Sequence, residues 1–356
     1  MATYRPIRRR YTRSVLASAV ALGLSVGASG AVRHAQAATA PMPVAAAGYG
    51  VSLFAKGTAF TKGMAAYFNP DSIVANAQHV FVGYQNNGNP DGSNHKSSTV
   101  VEYTLQGRVV QTFSVPGHND GLRIDPSTGL LWATSNEDAN ALLTTINPTT
   151  RALVTYHFPK AAHGGGYDDL AFMHGMTFIA ASNPALNAAG VNTGPALDKV
   201  VLHNGMLTVT PVLMGDAKAT DLTTHHTVTL NEVDPDSMYV TPQGDLMLDN
   251  QGGAEIVLVH NPGTTRQTVS RLPLGTQVDD TVWATSPQGR ILVSDHGGNA
   301  VYAIRGMFTA GSAYSAAPGD SGVAGFVGAL DLTSGTLKPV VIGLSSPGGM
   351  AFVPGM

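Results

Sequence analysis

The stretch Gly117–Asn136, GHNDGLRIDPSTGLLWATSN, holds a polar tetrapeptide, an alternating run, a turn and a second alternating run. Leu122 and Ile124 alternate with polar neighbours, Asp125-Pro126 and Gly129 mark the turn, and the alternation resumes before Ser135. Period-two alternation on both sides of a short turn reads as an antiparallel hairpin. His118, Asn119, Asp120 and Gly121 therefore stand where its first strand begins.

The same opening recurs along the chain. DSIVA starts at Asp71, DGLRI at Asp120, DDLAF at Asp168, DSMYV at Asp236 and DTVWA at Asp280; GGMAF, at Gly348, lacks the acid. The starts are 49, 48, 68, 44 and 68 residues apart, which reads as one period of 44–49 with two insertions. A second strand follows each acidic start: HVFVGY, LLWATS, MTFIAAS, DLMLDN and RILVSD. Third and fourth strands follow in TVVEYTLQGRVVQTFSV and ALLTTINPTTRALVTYHF. Four antiparallel strands per period of this length make a propeller blade. The reading is an all-β, six-bladed β-propeller. The chain ends eight residues after Gly348, so the last blade is short of strands. Tyr49–Gly57, YGVSLFAKG, is expected to pair into it and close the ring, removing exposed edges.

The ends and the composition bound the function. Basic residues 5–14, an apolar stretch at Val15–Val32 and Ala35-Gln36-Ala37 predict a cleaved signal peptide over residues 1–37. A flexible linker is expected over 38–48 and the propeller over 49–356. Export to the periplasm or the medium follows, and Arg8-Arg9-Arg10-Tyr11 partly resembles a twin-arginine signal. The chain has no cysteine, which excludes disulfides, iron–sulfur clusters and thiolate zinc sites. A net charge of −3 gives no general attraction to nucleic acid or anionic lipid, so the expected partner is a small molecule. No apolar run after the signal is long enough to span a membrane. G-x-S-x-G, P-loop and H-E-x-x-H motifs are absent.

Strand alternation places the candidate site. The inner strand of each blade starts at one face and the second strand returns to it. The acidic starts and the second-strand endings, among them Asn86, Asn136, Asn183, Asn250 and Asp295, therefore share that face. His95, His118, His163, His225, His226 and His296 map to its loops, as does the insertion over about Asn183–Asp234. Asp and Asn at strand starts commonly serve as turn caps. Carboxylates converging on one axis, however, need protons, cationic partners or a metal ion. Oxygen donors suit Ca2+, and a histidine would turn the choice toward Zn2+ or Mn2+.

Asn119-Asp120-Gly121, then Asp125-Pro126, Gly129 and Trp132, resemble the six-bladed propellers of the gluconolactonase and senescence-marker-protein family. DPDSMYVTPQGDLMLDN resembles that family's P-D-G-M stretch, whose Asp holds the metal and serves as general base; Asp236 stands in that place. The resemblance implies a divalent cation at Asp71, Asp168 and Asp236, with Asp236 catalytic. The chain departs from the family where Asp71 replaces a Glu, Asp168 an Asn, and Ser237 the Gly after the base. Propellers of NHL-type repeats share the blade pattern without catalysis.

Two functions follow. One is a metal-dependent, lactonase-like hydrolase opening a lactone or ester. In it His118, Asn119, Asn136, Asn183, His163, Asp295 and His296 would hold the substrate. The other is a non-catalytic propeller that binds a ligand or protein on the same face.

Overall fold

The computed structural model describes residues 42–58, 66–319 and 324–355. The expected signal peptide lies outside these residues. The described residues carry strands and no α-helix.

Two strands precede the first acidic start: β1 (Val44–Ala45) and β2 (Tyr49–Lys56). Blade 1 is β3 (Pro70–Ala75), β4 (His79–Tyr84), β5 (Ser97–Thr104) and β6 (Val109–Pro116), in that order from the inside. Blade 2 is β7 (Asn119–Ile124), β8 (Leu131–Ser135), β9 (Leu142–Ile146) and β10 (Leu153–His157). Blade 3 is β11 (Leu170–Met173), β12 (Met176–Ala180), β13 (Pro195–His203) and β14 (Met206–Met214).

The first 68-residue gap contains a hairpin, β15 (Lys218–Asp221) and β16 (Thr227–Thr229). It extends the outer edge of blade 4, which is β17 (Pro235–Val240), β18 (Leu246–Asn250), β19 (Glu255–His260) and β20 (Thr268–Pro273). There β15 runs parallel to β20.

The last two blades interleave in sequence. After β21 (Thr281–Trp283) come β22 (Gly289–Asp295), β23 (Ala300–Gly306), β24 (Ala313–Ala317), β25 (Gly325–Leu330), β26 (Leu337–Leu344) and β27 (Pro347–Pro354). Blade 5 is β21-β24-β25-β26, with β1 added outside. Blade 6 is β27-β22-β23-β2. RILVSD is therefore not the partner of DTVWA, as sequential pairing suggests; it pairs with the last strand of the chain. The physical reason is at the end of β21. Ala284 donates to Ser312 O and accepts from Gly311 N, so residues beyond the hairpin occupy the place beside it. The second 68-residue gap is this exchanged hairpin. Likewise Val44 and Ala45, expected in a linker, pair with Ile342 and Val341.

Six hydrophobic clusters hold the blades together, one at each junction. Phe81, Phe113, Leu122 and Leu131 join blades 1 and 2; Trp132, Leu143, Leu170 and Ile179 join 2 and 3. Phe178, Leu197, Met238 and Leu248 join 3 and 4; Met247, Leu272, Trp283 and Ala313 join 4 and 5. Val282, Tyr314, Ile291 and Met350 join 5 and 6. The sixth cluster sets Leu292, Val301 and Val353 of blade 6 against Val80, Tyr84 and Tyr103 of blade 1. That junction makes the array a ring. Each fully buried Leu, Val or Phe contributes about 1.5–3 kcal/mol.

Candidate functional site

The inner strands share a local irregularity that aims the acids. In blade 1 Pro70 pairs with Tyr84 and Ile73 with Val82, so Asp71 and Ser72 both oppose Gly83. Asp120 and Gly121 oppose Thr134, Asp236 and Ser237 oppose Asp249, and Gly348 and Gly349 oppose Ser294. Each is a β-bulge, which bends a strand and redirects one side chain. In blades 3 and 5 backbone hydrogen bonds set Asp168-Asp169 against Ala180, and Asp279-Asp280 against Ala316, in the same way. The first bulge position around the ring thus reads Asp71, Asp120, Asp168, Asp236, Asp279, Gly348. The fifth acid is Asp279, one residue before the start expected at Asp280.

The second bulge position stitches neighbouring blades. Ser72 donates to the carbonyl oxygen of Asp120. Asp169 accepts from Met238 N (3.1 Å), and Asp280 accepts from Met350 N (2.6 Å). Gly121 occurs because a Cβ there would lie 2.7 Å from the Cα of Asp169.

The tetrapeptide before the first alternating run thus divides its work. Asp120 lines the channel, and Gly121 lets blade 3 approach. Asn119 is fully buried away from the channel, its amide donating to Gly121 O (3.0 Å) and Thr134 O (2.8 Å). The His118 Nδ1 is 2.5 Å from Asp120 Oδ1.

These acids line a cavity of about 100 Å³ on the propeller axis. Asp71, Asp120, Glu137, Asp168, Asp169, Asp236, Asp279 and Asp280 line it, against one cation, Arg123. Arg123 pairs with Asp169 and donates to Met238 O (2.8 Å), so it serves the blade 2–4 contacts. Two unit charges ~4 Å apart repel by about 4 kcal/mol at an effective dielectric of 20. One guanidinium cannot offset eight carboxylates. Burial, then repulsion from Asp120 and Glu137, raises the Asp71 carboxyl well above its usual range. Burial, then Asp236 and Glu137, does the same to Asp168; burial, then Asp279 and Asp234, to Asp236. Glu137 is pushed up to about 8 by burial and then by Asp120. Glu137 and Asp168 perturb each other across the cavity, Glu137 being among the groups that raise Asp168.

Among the described residues, His118, Asp120 and Glu137 bring three ligand atoms within 4.8 Å of one another. Asp71, Asp168 and Asp236, expected to hold a metal, line the same cavity. The lining offers carboxylate oxygens, which fit a hard divalent cation, while His118 lies behind Asp120 and outside the lining.

The other expected site residues lie outside the cavity. Asn136 is used structurally: its Oδ1 accepts from His118 N (2.9 Å) and its Nδ2 donates to Asn140 O (3.1 Å). Asp295 accepts from the backbone of Gly298, Ser345 and Ser346. His163 is buried, with Nε2 2.7 Å from Gly166 O. Asn183 is exposed on a loop, and His296 lines a separate recess with Asn69 and Asn299. Residues that the sequence reading did not assign to the site are Glu137, Asp169, Asp279 and Arg123. The Asp doublets in YDDL and VDDT signal two of them, and a lone Arg in the inner strand DGLRI signals a buried partner acid.

No family model and no curated protein matches the chain. Solved structures resemble it at low identity. A protein of unknown function from Bacteroides caccae is 11% identical with a TM-score of 0.48, over 80% of this chain and 87% of that one. A proposed gluconolactonase is 12% identical with a TM-score of 0.45, over 84% and 83%. Virginiamycin B lyase from Staphylococcus aureus is 9% identical with a TM-score of 0.43, over 72% and 99%. These likenesses carry no activity to this chain.

Proposed function

We propose that the protein is an exported, divalent-cation-dependent hydrolase that opens a lactone or a related ester at the channel mouth. The observation that carries this reading is the imbalance of eight carboxylates against one guanidinium around one cavity. Asp71, Asp120, Glu137, Asp168 and Asp236 would hold the cation. When bound, it would polarise the substrate carbonyl and stabilise the oxyanion that forms on it.

His118 is the group suited to take a proton from attacking water. Burial lowers its pKa, so the imidazole is neutral near pH 7. If Nδ1–H donates to Asp120, Nε2 is the free base. Asp236 lines the same cavity and would serve as a ligand to the cation, with His118 as the base. Gly348 is the one first-bulge position without an acid, and the space beside it is tight: a Cβ there would lie 3.1 Å from Asp279 Oδ1 and 3.5 Å from Asp71 Oδ1.

The test is a panel of γ- and δ-lactones and aryl esters, assayed with cation-loaded and chelated protein. Cation-dependent turnover is expected. His118→Gln should lower kcat about 10²-fold while the bound cation is retained.

One observation favours a second reading, a binding propeller in which the cation is a structural pin. Asn136 and Asp295, the expected substrate contacts, already bond to the backbone. A retained cation with no turnover on any substrate of the panel would select that reading.

A further inference from the structure

Blade 4 carries a second cluster with catalytic geometry, at the end of the blade away from the acid cavity. Asp245 immediately precedes β18, whose other end, Asn250, pairs with Pro235 beside Asp236. Asp245 Oδ1 is 2.7 Å from His260 Nδ1. His260 Nε2 is in turn 3.2 Å from Ser270 Oγ. Three adjacent strands produce this line. Leu246 pairs with Val259, which sets Asp245 beside His260; His260 pairs with Thr268, which puts Ser270 diagonally across from it on the same face.

From the geometry we propose that Asp245, His260 and Ser270 form a nucleophilic site for small carboxylic esters, independent of the cation cavity. Nucleophile, base and orienting acid are recognised by their mutual contacts, whatever their order in the sequence or the surrounding motif. An Nδ1–H donated to Asp245 leaves Nε2 free to accept the Ser270 proton. The side chains of Asp245 and His260 are 22% and 32% exposed, so a substrate reaches them from solvent. Lys218 lies on the same face. Thr220 pairs with Ser270, and Lys218, itself exposed, is two residues earlier on β15. Its ammonium donates to Thr229 Oγ1.

The reaction balances with water as the only co-reactant. Ser270 Oγ bonds to the ester carbonyl carbon as its proton passes to His260 Nε2. The C–O bond to the alcohol breaks, and His260 returns the proton to the leaving alkoxide. Water, deprotonated by the same nitrogen, then releases the carboxylic acid and restores Ser270.

The experiment is labelling of the intact protein with a fluorophosphonate probe, read by peptide mass spectrometry, alongside p-nitrophenyl acetate hydrolysis. The probe's phosphorus bonds to Oγ as fluoride leaves. An adduct on Ser270 is expected with and without chelator. It should be absent in Ser270→Ala and slower by at least about tenfold in His260→Gln, the scale of general-base assistance. Ester hydrolysis should fall in both variants. Wild-type protein that gains no adduct on Ser270 overturns the proposal whatever the variants do. So does a His260→Gln protein, folded by its melting temperature, that labels at the wild-type rate.

Discussion

Adding a tightly bound divalent cation to chelator-stripped protein at pH 8 should raise the melting temperature by about 6 °C. At a cation concentration ~1,000 times the dissociation constant, binding to the folded state alone contributes about 4 kcal/mol. Each kcal/mol moves the midpoint of a domain of this size by about 1.5 °C. The increment should shrink at pH 5.5, for a reason that lies in the acids. Asp71, Asp120, Asp168 and Asp236 are raised by burial, and Glu137 reaches about 8. A carboxyl whose folded pKa exceeds its unfolded value binds more protons when folded. Its contribution to stability is present at low pH and is lost as pH rises through the folded pKa. Stripped protein should therefore weaken from pH 5 to pH 8, where a cation replaces the missing protons. Differential scanning fluorimetry with Ca2+, Mn2+ and Zn2+ across that range checks both parts. A melting temperature unmoved by any of the three at pH 8 would sink the linkage.

Gly349→Ala should cost about 3 kcal/mol, at the upper end for overpacking. A Cβ at this position would lie 2.8 Å from the Cα of Ser72 and closer still to the carbonyl oxygen of Asp71. Both atoms belong to the backbone of blade 1, so no side-chain rotation relieves the clash. The contact is at the junction of the last and first blades, where the ring closes. With a slope of about 3 kcal/mol per molar urea, the unfolding midpoint should fall by ~1 M. Gly129→Ala is the contrast: nothing lies within 4 Å of its Cβ position, although φ is +71° there. Its cost should come from backbone strain alone, about 1 kcal/mol. Equal losses in the two variants would show that the blade junction is looser than its geometry implies.

Much of the ring was legible because the repeat is written in alternation and acids. DSIVA, DGLRI and DSMYV each start an inner strand, and each acid occupies the first bulge position. The bulges themselves carry no local signal, which is why Asp280 was read as the fifth ring acid in place of Asp279. The exchange of strands between blades 5 and 6 was hidden for a different reason. RILVSD and AVYAIRG form an ordinary hairpin, and their partners, β27 and β2, lie far away in sequence. Local pattern specifies a hairpin; only tertiary packing selects the blade it joins. Asn119, Asn136 and Asp295 illustrate a further limit. A polar residue at a strand end looks the same in sequence whether it faces a ligand or caps a turn. Here all three bond to the backbone. The Asp245–His260–Ser270 line was invisible to motif reading, because it is assembled across strands.

The most direct test of the cation site is elemental analysis of protein equilibrated with Ca2+, Mn2+ or Zn2+ at pH 8 and then freed of loose ions. Wild-type protein should retain one divalent cation per chain, and Asp236→Ala should lose it. Wild-type protein that retains none of the three would contradict the site: the eight carboxylates would then be managed by protons alone.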